Sequence, residues 1–169
     1  VEGEQAVRNE VVAGAIDACV LTVPTPKPMA LEFPHHKLVV AEISTDEGLK
    51  GLGYSLVFGG GGAESVLAYL EARLKPLLLG EDPLAVERLW EKMYRGLIYI
   101  GRRGIAIHAI SGIDIALWDI RGKALGKPVC ELLGPVQRDR VRAYASMLMP
   151  DTPEETAELR ARVANRERE

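Results

Sequence analysis

The segment from Ala109 to Pro135 restricts the possible folds more than any other part of the chain. Ile110, Ile113, Leu117, Ile120 and Ala124 recur at steps of three and four, which places them along one stripe of a helix. Gly126 and Pro128 supply the stop, since glycine tolerates the left-handed cap and proline cannot extend the hydrogen-bond ladder. Gly112 and Ala116 are small, Trp118 adjoins Asp119, and the segment closes on Leu132-Leu133-Gly134-Pro135. A helix patterned in this way must bury its stripe against another layer.

Upstream, Ile16–Val23 reads as a strand that should end at Pro24, because Pro24, Pro26 and Pro28 are too many for a sheet interior. Leu38–Ser44 and Leu52–Phe58 read as a hairpin about the turn residues Asp46 to Gly51. Gly59 to Gly62 breaks the chain before a helix over Ala63–Lys75, in which Leu67, Leu70 and Leu74 face one way and Pro76 is the stop. Asp82 as N-cap and Pro83 in the first turn open a second helix with the stripe Val86, Leu89, Trp90, Met93 and Leu97. Gly101-Arg102-Arg103-Gly104 then precedes the long third helix. Three strands followed by three helices is an α+β pattern: a three-stranded antiparallel sheet with helices on one face. After Pro135 the pattern changes to a strand over Val141–Ser146, a turn over Pro150–Pro153 and a helix over Glu154–Asn165. That is one unit of a β/α array, whereas a full barrel needs about 250 residues and only about 30 follow Arg140. The expected division is residues 1–135, with a core over about 16–135, and residues 136–169.

Charge excludes some functions. With 21 basic and 24 acidic residues, the net charge is -3, which leaves no electrostatic footprint for nucleic acid. No apolar run approaches the roughly 20 residues of a membrane helix. Val1 to Glu10 shows neither a basic start nor an apolar run, so no secretory leader is expected and the reducing cytoplasm is the expected location. Cys19 and Cys130 lack metal-ligand spacing and are expected to be buried free thiols.

The β-β-β-α-α-α order and the motif from Gly101 to Pro135 resemble the N-terminal capping domain of the enolase superfamily, in its mandelate racemase and muconate-lactonizing branch. Tyr144-Ala145-Ser146 is similar to the end of that family's first barrel strand. The resemblance implies an α+β capping domain followed by the first strand and helix of an incomplete TIM-like barrel. It implies, for a complete enzyme, a lyase or isomerase (dehydratase, racemase or cycloisomerase) acting on an acid sugar or hydroxy acid. There a lysine or histidine base removes the proton α to a carboxylate, and Mg2+ stabilises the enediolate. The family's bases and metal ligands lie on later barrel strands, so this chain alone is expected to bind no metal and to be inactive. The complete enzyme is expected to be a homo-oligomer. The resemblance also implies two loops that shape the substrate pocket, matching Val23–Leu31 and Gly51–Gly62. Met29 and Tyr54 fall where substrate-contacting side chains belong, and Ser146 falls at the carboxyl end of the barrel strand. A stand-alone α+β binding or assembly module without catalysis is the alternative reading.

Other constellations carry less. Asp114 and Asp119 are about 140° apart on a helix and cannot share a proton or a metal, while Asp119 and Lys123 have the spacing of an ion pair. His35 and His36 point to opposite faces of a strand. His108, among isoleucines, is expected to be a packed histidine, and Lys27 a solvated loop residue. Gly59–Gly62 lacks the lysine and hydroxyl of a phosphate loop and is followed by Glu64.

Overall fold

A computed structural model describes residues 12–29, 33–57, 61–138, 140–142 and 152–166. The chain divides into two compact units, Val1–Pro135 and Val136–Glu169. In the first, β1 (Ala13–Met29), β2 (Phe33–Thr45) and β3 (Lys50–Val57) form an antiparallel sheet in the order β1-β2-β3. The register puts Ile16 beside Ile43 and Val20 beside Val39 across the first pair. Across the second it puts Val39 beside Ser55, Ala41 beside Gly53 and Ile43 beside Gly51. Around these pairs one face of the sheet is therefore a surface of small and branched side chains, buried except at Ala18 and Val20, which are half-buried. Alternation along β3, with Gly51, Gly53, Ser55 and Val57 buried and Leu52 and Tyr54 exposed, shows that only this face is covered.

The helices are α1 (Ala63–Tyr69), α2 (Lys75–Leu78), α3 (Val86–Arg95), α4 (Ile105–Leu125) and α5 (Val129–Leu132). The long α4 lies over β3 and β2, and its Ala109, Ile110, Ile113, Ala116, Leu117 and Ile120 join the core. Its close seating depends on glycine. A Cβ added at Gly53 would lie 2.0 Å from the Gly112 carbonyl oxygen, and one at Gly51 would lie 2.2 Å from that of Ala116. Gly126, at φ 61°, caps the helix in the left-handed conformation, as the sequence predicts.

Three elements depart from the sequence reading. β1 continues through Pro24, Pro26 and Pro28 instead of ending at the first of them. It is an edge strand, and N–H directions alternate along a strand, so three prolines two apart lose their donors on one side only, which an edge leaves unpaired. Pro76 does not end the first helix; a π-helical turn over Leu70–Leu74 precedes it and α2 carries on. Widening the turn relieves the crowding of the proline ring against the preceding carbonyls. α3 begins at Val86 rather than at Pro83, because Asp82 Oδ1 accepts from the Leu84 N–H at 2.8 Å and closes a separate turn. In its stripe Val86, Leu89, Met93 and Leu97 are buried, whereas Trp90 is partly exposed.

Both cysteines are exposed, contrary to expectation. Cys19 belongs to the parity of β1 that faces away from the helices, and α5, which carries Cys130, buries no side chain. A clamp joins the first strand to the helical layer: the Ala13 N–H donates to the Glu81 carbonyl at 3.0 Å. The Glu81 carboxylate in turn accepts from Lys92 at 2.5 Å and pairs with Arg88 at 2.7 Å. Those two donors hold its carboxyl below the usual range.

In the second unit, α6 (Pro153–Arg166) follows Thr152, whose Oγ1 accepts from the Glu155 N–H at 3.2 Å. Val141 and Arg142 are not in a strand, and the remainder of the strand expected over Val141–Ser146 lies outside the described residues.

Candidate functional site: the loop end of the sheet

Antiparallel order fixes where the connections emerge. The β1–β2 connection and the link from β3 to α1 leave the same end of the sheet, and the tight turn from Asp46 to Leu49 closes the other. Of the two segments singled out in the sequence as loops, residues 23–29 lie in β1 and residues 51–57 in β3, and both strands lead into the connections at this end. At this end Lys37 lies beside Val57 and His36 beside Val23. The Lys37 ammonium pairs with the Glu64 carboxylate in the first turn of α1, which ties β2 to the helical layer. That hydrogen bond from Lys37 is the main reason the Glu64 carboxyl is held low. A carboxylate so placed opposes phosphate binding at the glycine turn, where Gly62 stands at φ 92°.

Tyr54 is on the uncovered face, 54% exposed, in register with Val40 and, across β2, with Cys19. Leu21, Val23, Leu52 and Tyr54 are exposed on this face, and Leu38, Val40 and Leu56 are half-buried there. Around Tyr54 the face is apolar with one phenol, while Asp17, Glu42 and Lys50 lie on it toward the turn end. Met29 ends β1, its backbone paired with Phe33, but its side chain lies outside the described residues, as do the Lys27 side chain, Gly59, Gly60 and Ser146.

One contact had no signal in the sequence reading. His108 is exposed rather than packed, and its Nδ1 lies 3.0 Å from Ser55 Oγ. The α4 stripe passes through Ala106, Ala109 and Ile110, which turns residue 108 outward toward the loop end of β3. The Asp119–Lys123 pair forms at 2.7 Å, and Asp119 also accepts from the Leu52 N–H at 2.9 Å, so it fastens α4 to β3. Burial alone would push the Asp119 carboxyl up; hydrogen bonds from Lys123 and Leu52, with the Lys123 charge, outweigh it and hold it low. Asp114 lies away from this contact, beside Glu87.

Among the described residues, no three His, Cys, Asp or Glu side chains are placed to hold a metal ion. No described helix is long and apolar enough to cross a membrane. This end of the fold can cover a ligand, contribute a phenol and exclude water; it holds no paired acid and base suited to proton transfer among the described residues.

A three-stranded meander backed by a long glycine-seated helix, with two loops at one end of the sheet, defines a capping-type α+β domain. The chain belongs to the mandelate racemase / muconate lactonizing enzyme family: residues 15–134 match its N-terminal domain. It is 51% identical over 108 residues to arabinonate dehydratase of Saccharolobus solfataricus, an alignment covering 64% of this chain and 28% of that protein. It is 49% identical over 102 residues to D-galactonate dehydratase of Verminephrobacter eiseniae, covering 60% and 26%. Its fold matches L-talarate/galactarate dehydratase of Salmonella typhimurium, solved with Mg and L-lyxarohydroxamate. That match has a TM-score of 0.70 at 29% identity, over 79% of this chain and 36% of that one. The chain thus spans about a quarter of the length of the curated relatives it matches.

Proposed function

We propose that this chain is the substrate-capping part of an acid-sugar dehydratase. The observation that carries the proposal is the 51% identity with arabinonate dehydratase over 108 residues, 64% of this chain. Residues 1–135 would form the cap and residues 136–169 the first strand and helix of a barrel. Met29, Tyr54 and Ser146 would line the substrate pocket. The exposure of Tyr54 on the uncovered face, and the shared end from which the loops leave, support the first two of these assignments.

In the complete enzyme the reaction would begin with removal of the proton α to the substrate carboxylate, by groups outside this chain. The described residues do not fit a magnesium site, so no step through the metal is assigned to them. The cap's own tasks are to close over the polyhydroxy acid, to exclude water and to select by shape and hydroxyl pattern.

The test is a chimera in which residues 1–135 replace the corresponding part of the Saccharolobus arabinonate dehydratase. Dehydration of arabinonate and galactonate is measured after circular dichroism has verified folding. Retained dehydration, with KM for the acid sugar raised by Tyr54→Ala, is the expected outcome. A folded chimera inactive on every aldonic and aldaric acid offered would overturn the proposal.

A further inference from the structure

The surface of the helical layer remote from the sheet carries a cleft of about 250 Å³ between α3 and α4, lined by Val86, Glu87, Trp90, Asp114 and Trp118. Its composition is unusual for a surface depression: two indoles and two carboxylates around one valine. Trp90 is 38% exposed although it occupies a stripe position, and its ring stacks on Tyr94 with centres 4.9 Å apart. The cleft already shows which chemistry it accepts. The Arg121 guanidinium lies 5.2 Å from the Trp118 ring centre and donates to both Glu87 oxygens, at 2.9 and 3.0 Å. Asp114 differs from Glu87. It is half-buried, and among the described residues the charge that acts on it is another carboxylate, Glu87. Burial first, and Glu87 second, push its carboxyl above the usual range. A carboxylate in a cleft lined by two indoles has the chemistry that recognises an organic cation: charge at one end and aromatic surface beside it.

We propose that this cleft is a binding site for an alkylguanidinium or alkylammonium cation, with Asp114 as counter-ion and the Trp90 and Trp118 indoles against the alkyl part. The site is on the opposite side of the helical layer from the sheet and its loops, and it is independent of the dehydratase proposal. The cation has two possible sources, a free small amine or guanidine and the side chain of a protein arginine or lysine. Both present the same group.

The test uses the whole chain and follows indole fluorescence during titration with ethylguanidinium, n-butylammonium and N-acetylarginine methylamide, with urea and n-butanol as neutral controls. Saturable quenching by the cations is expected, with affinity at least tenfold weaker in Asp114→Asn and in Trp90→Ala. Binding by N-acetylarginine methylamide as tight as by ethylguanidinium assigns the site to a protein side chain. Exclusion of that amide, with ethylguanidinium still bound, assigns it to a free small cation. Equal response to urea and ethylguanidinium, or undiminished affinity in a folded Asp114→Asn, overturns the proposal. Asp114→Asn keeps the shape of the side chain, and its folding is checked by the cooperativity of thermal unfolding.

Discussion

Replacing Gly53 by alanine tests the seating of α4 on the sheet. The added methyl would lie 2.0 Å from the Gly112 carbonyl oxygen and 2.6 Å from the Ala116 nitrogen, both backbone atoms. A carbon–oxygen contact relaxes only near 3.3 Å, so helix and strand must separate locally by about 1.3 Å. Overpacking of a close-packed core costs about 1–3 kcal/mol, and a backbone obstacle places this case at the upper end. Reduced freedom of the unfolded chain returns about 0.4–1 kcal/mol. The expected net loss is about 2 kcal/mol, or about 6 °C in Tm for a unit of this size. Gly112→Ala approaches the same interface from the other side and should behave oppositely. There the methyl meets Tyr54 and Ser55 backbone atoms at 3.6 and 3.7 Å, ordinary contact distances. Removing a glycine from a helix interior should then raise stability by about 0.5–1 kcal/mol. Urea titration of both variants reads the difference directly, provided m is unchanged. A Gly53→Ala midpoint within about 0.5 kcal/mol of the parent would refute the tight seating argued here.

Three further outcomes are expected. Asp119→Ala removes an acceptor from Leu52 N–H and Lys123 and should cost about 1 kcal/mol at pH 7. Because the folded carboxyl is held low, this contribution is present above about pH 4 and fades as pH falls through the folded value, so parent and variant urea midpoints should converge at lower pH. Gly126→Ala forces a Cβ into φ 61°, which should lower stability by about 1 kcal/mol by thermal unfolding. Calorimetric titration of the isolated chain with magnesium should show no stoichiometric site tighter than ~0.1 mM; a tighter one would place ligands where none is described.

The sheet and the long helix were legible because their signals are local and periodic: alternation in β3, and a stripe with a glycine stop in α4. The continuation of β1 through its prolines was not, because proline forbids an interior strand and not an edge, and edge status emerges only once the sheet order is known. The same holds for Pro76, where a widened turn substitutes for a break. Gly51 and Gly53 read as turn and hairpin residues in the sequence; their service to α4 depends on contacts some sixty residues away along the chain. At the candidate site, Tyr54 could be placed on a face from parity alone. The Ser55–His108 contact joins two elements whose phase relative to each other no local pattern encodes.

The two ends of the sheet are built unequally. At the turn end the Val12 N–H donates to Asp46 Oδ1 at 2.8 Å, Asp46 N–H returns to the Val12 carbonyl at 3.1 Å, and Leu49 N–H reaches Thr45 Oγ1 at 3.0 Å. Registration of the strands is therefore secured at the turn end, away from the two longer connections. Mutational drift at the opposite rim, in length as well as in composition, leaves that anchorage untouched. The strand register and the connections at the loop end therefore depend on separate parts of the sequence.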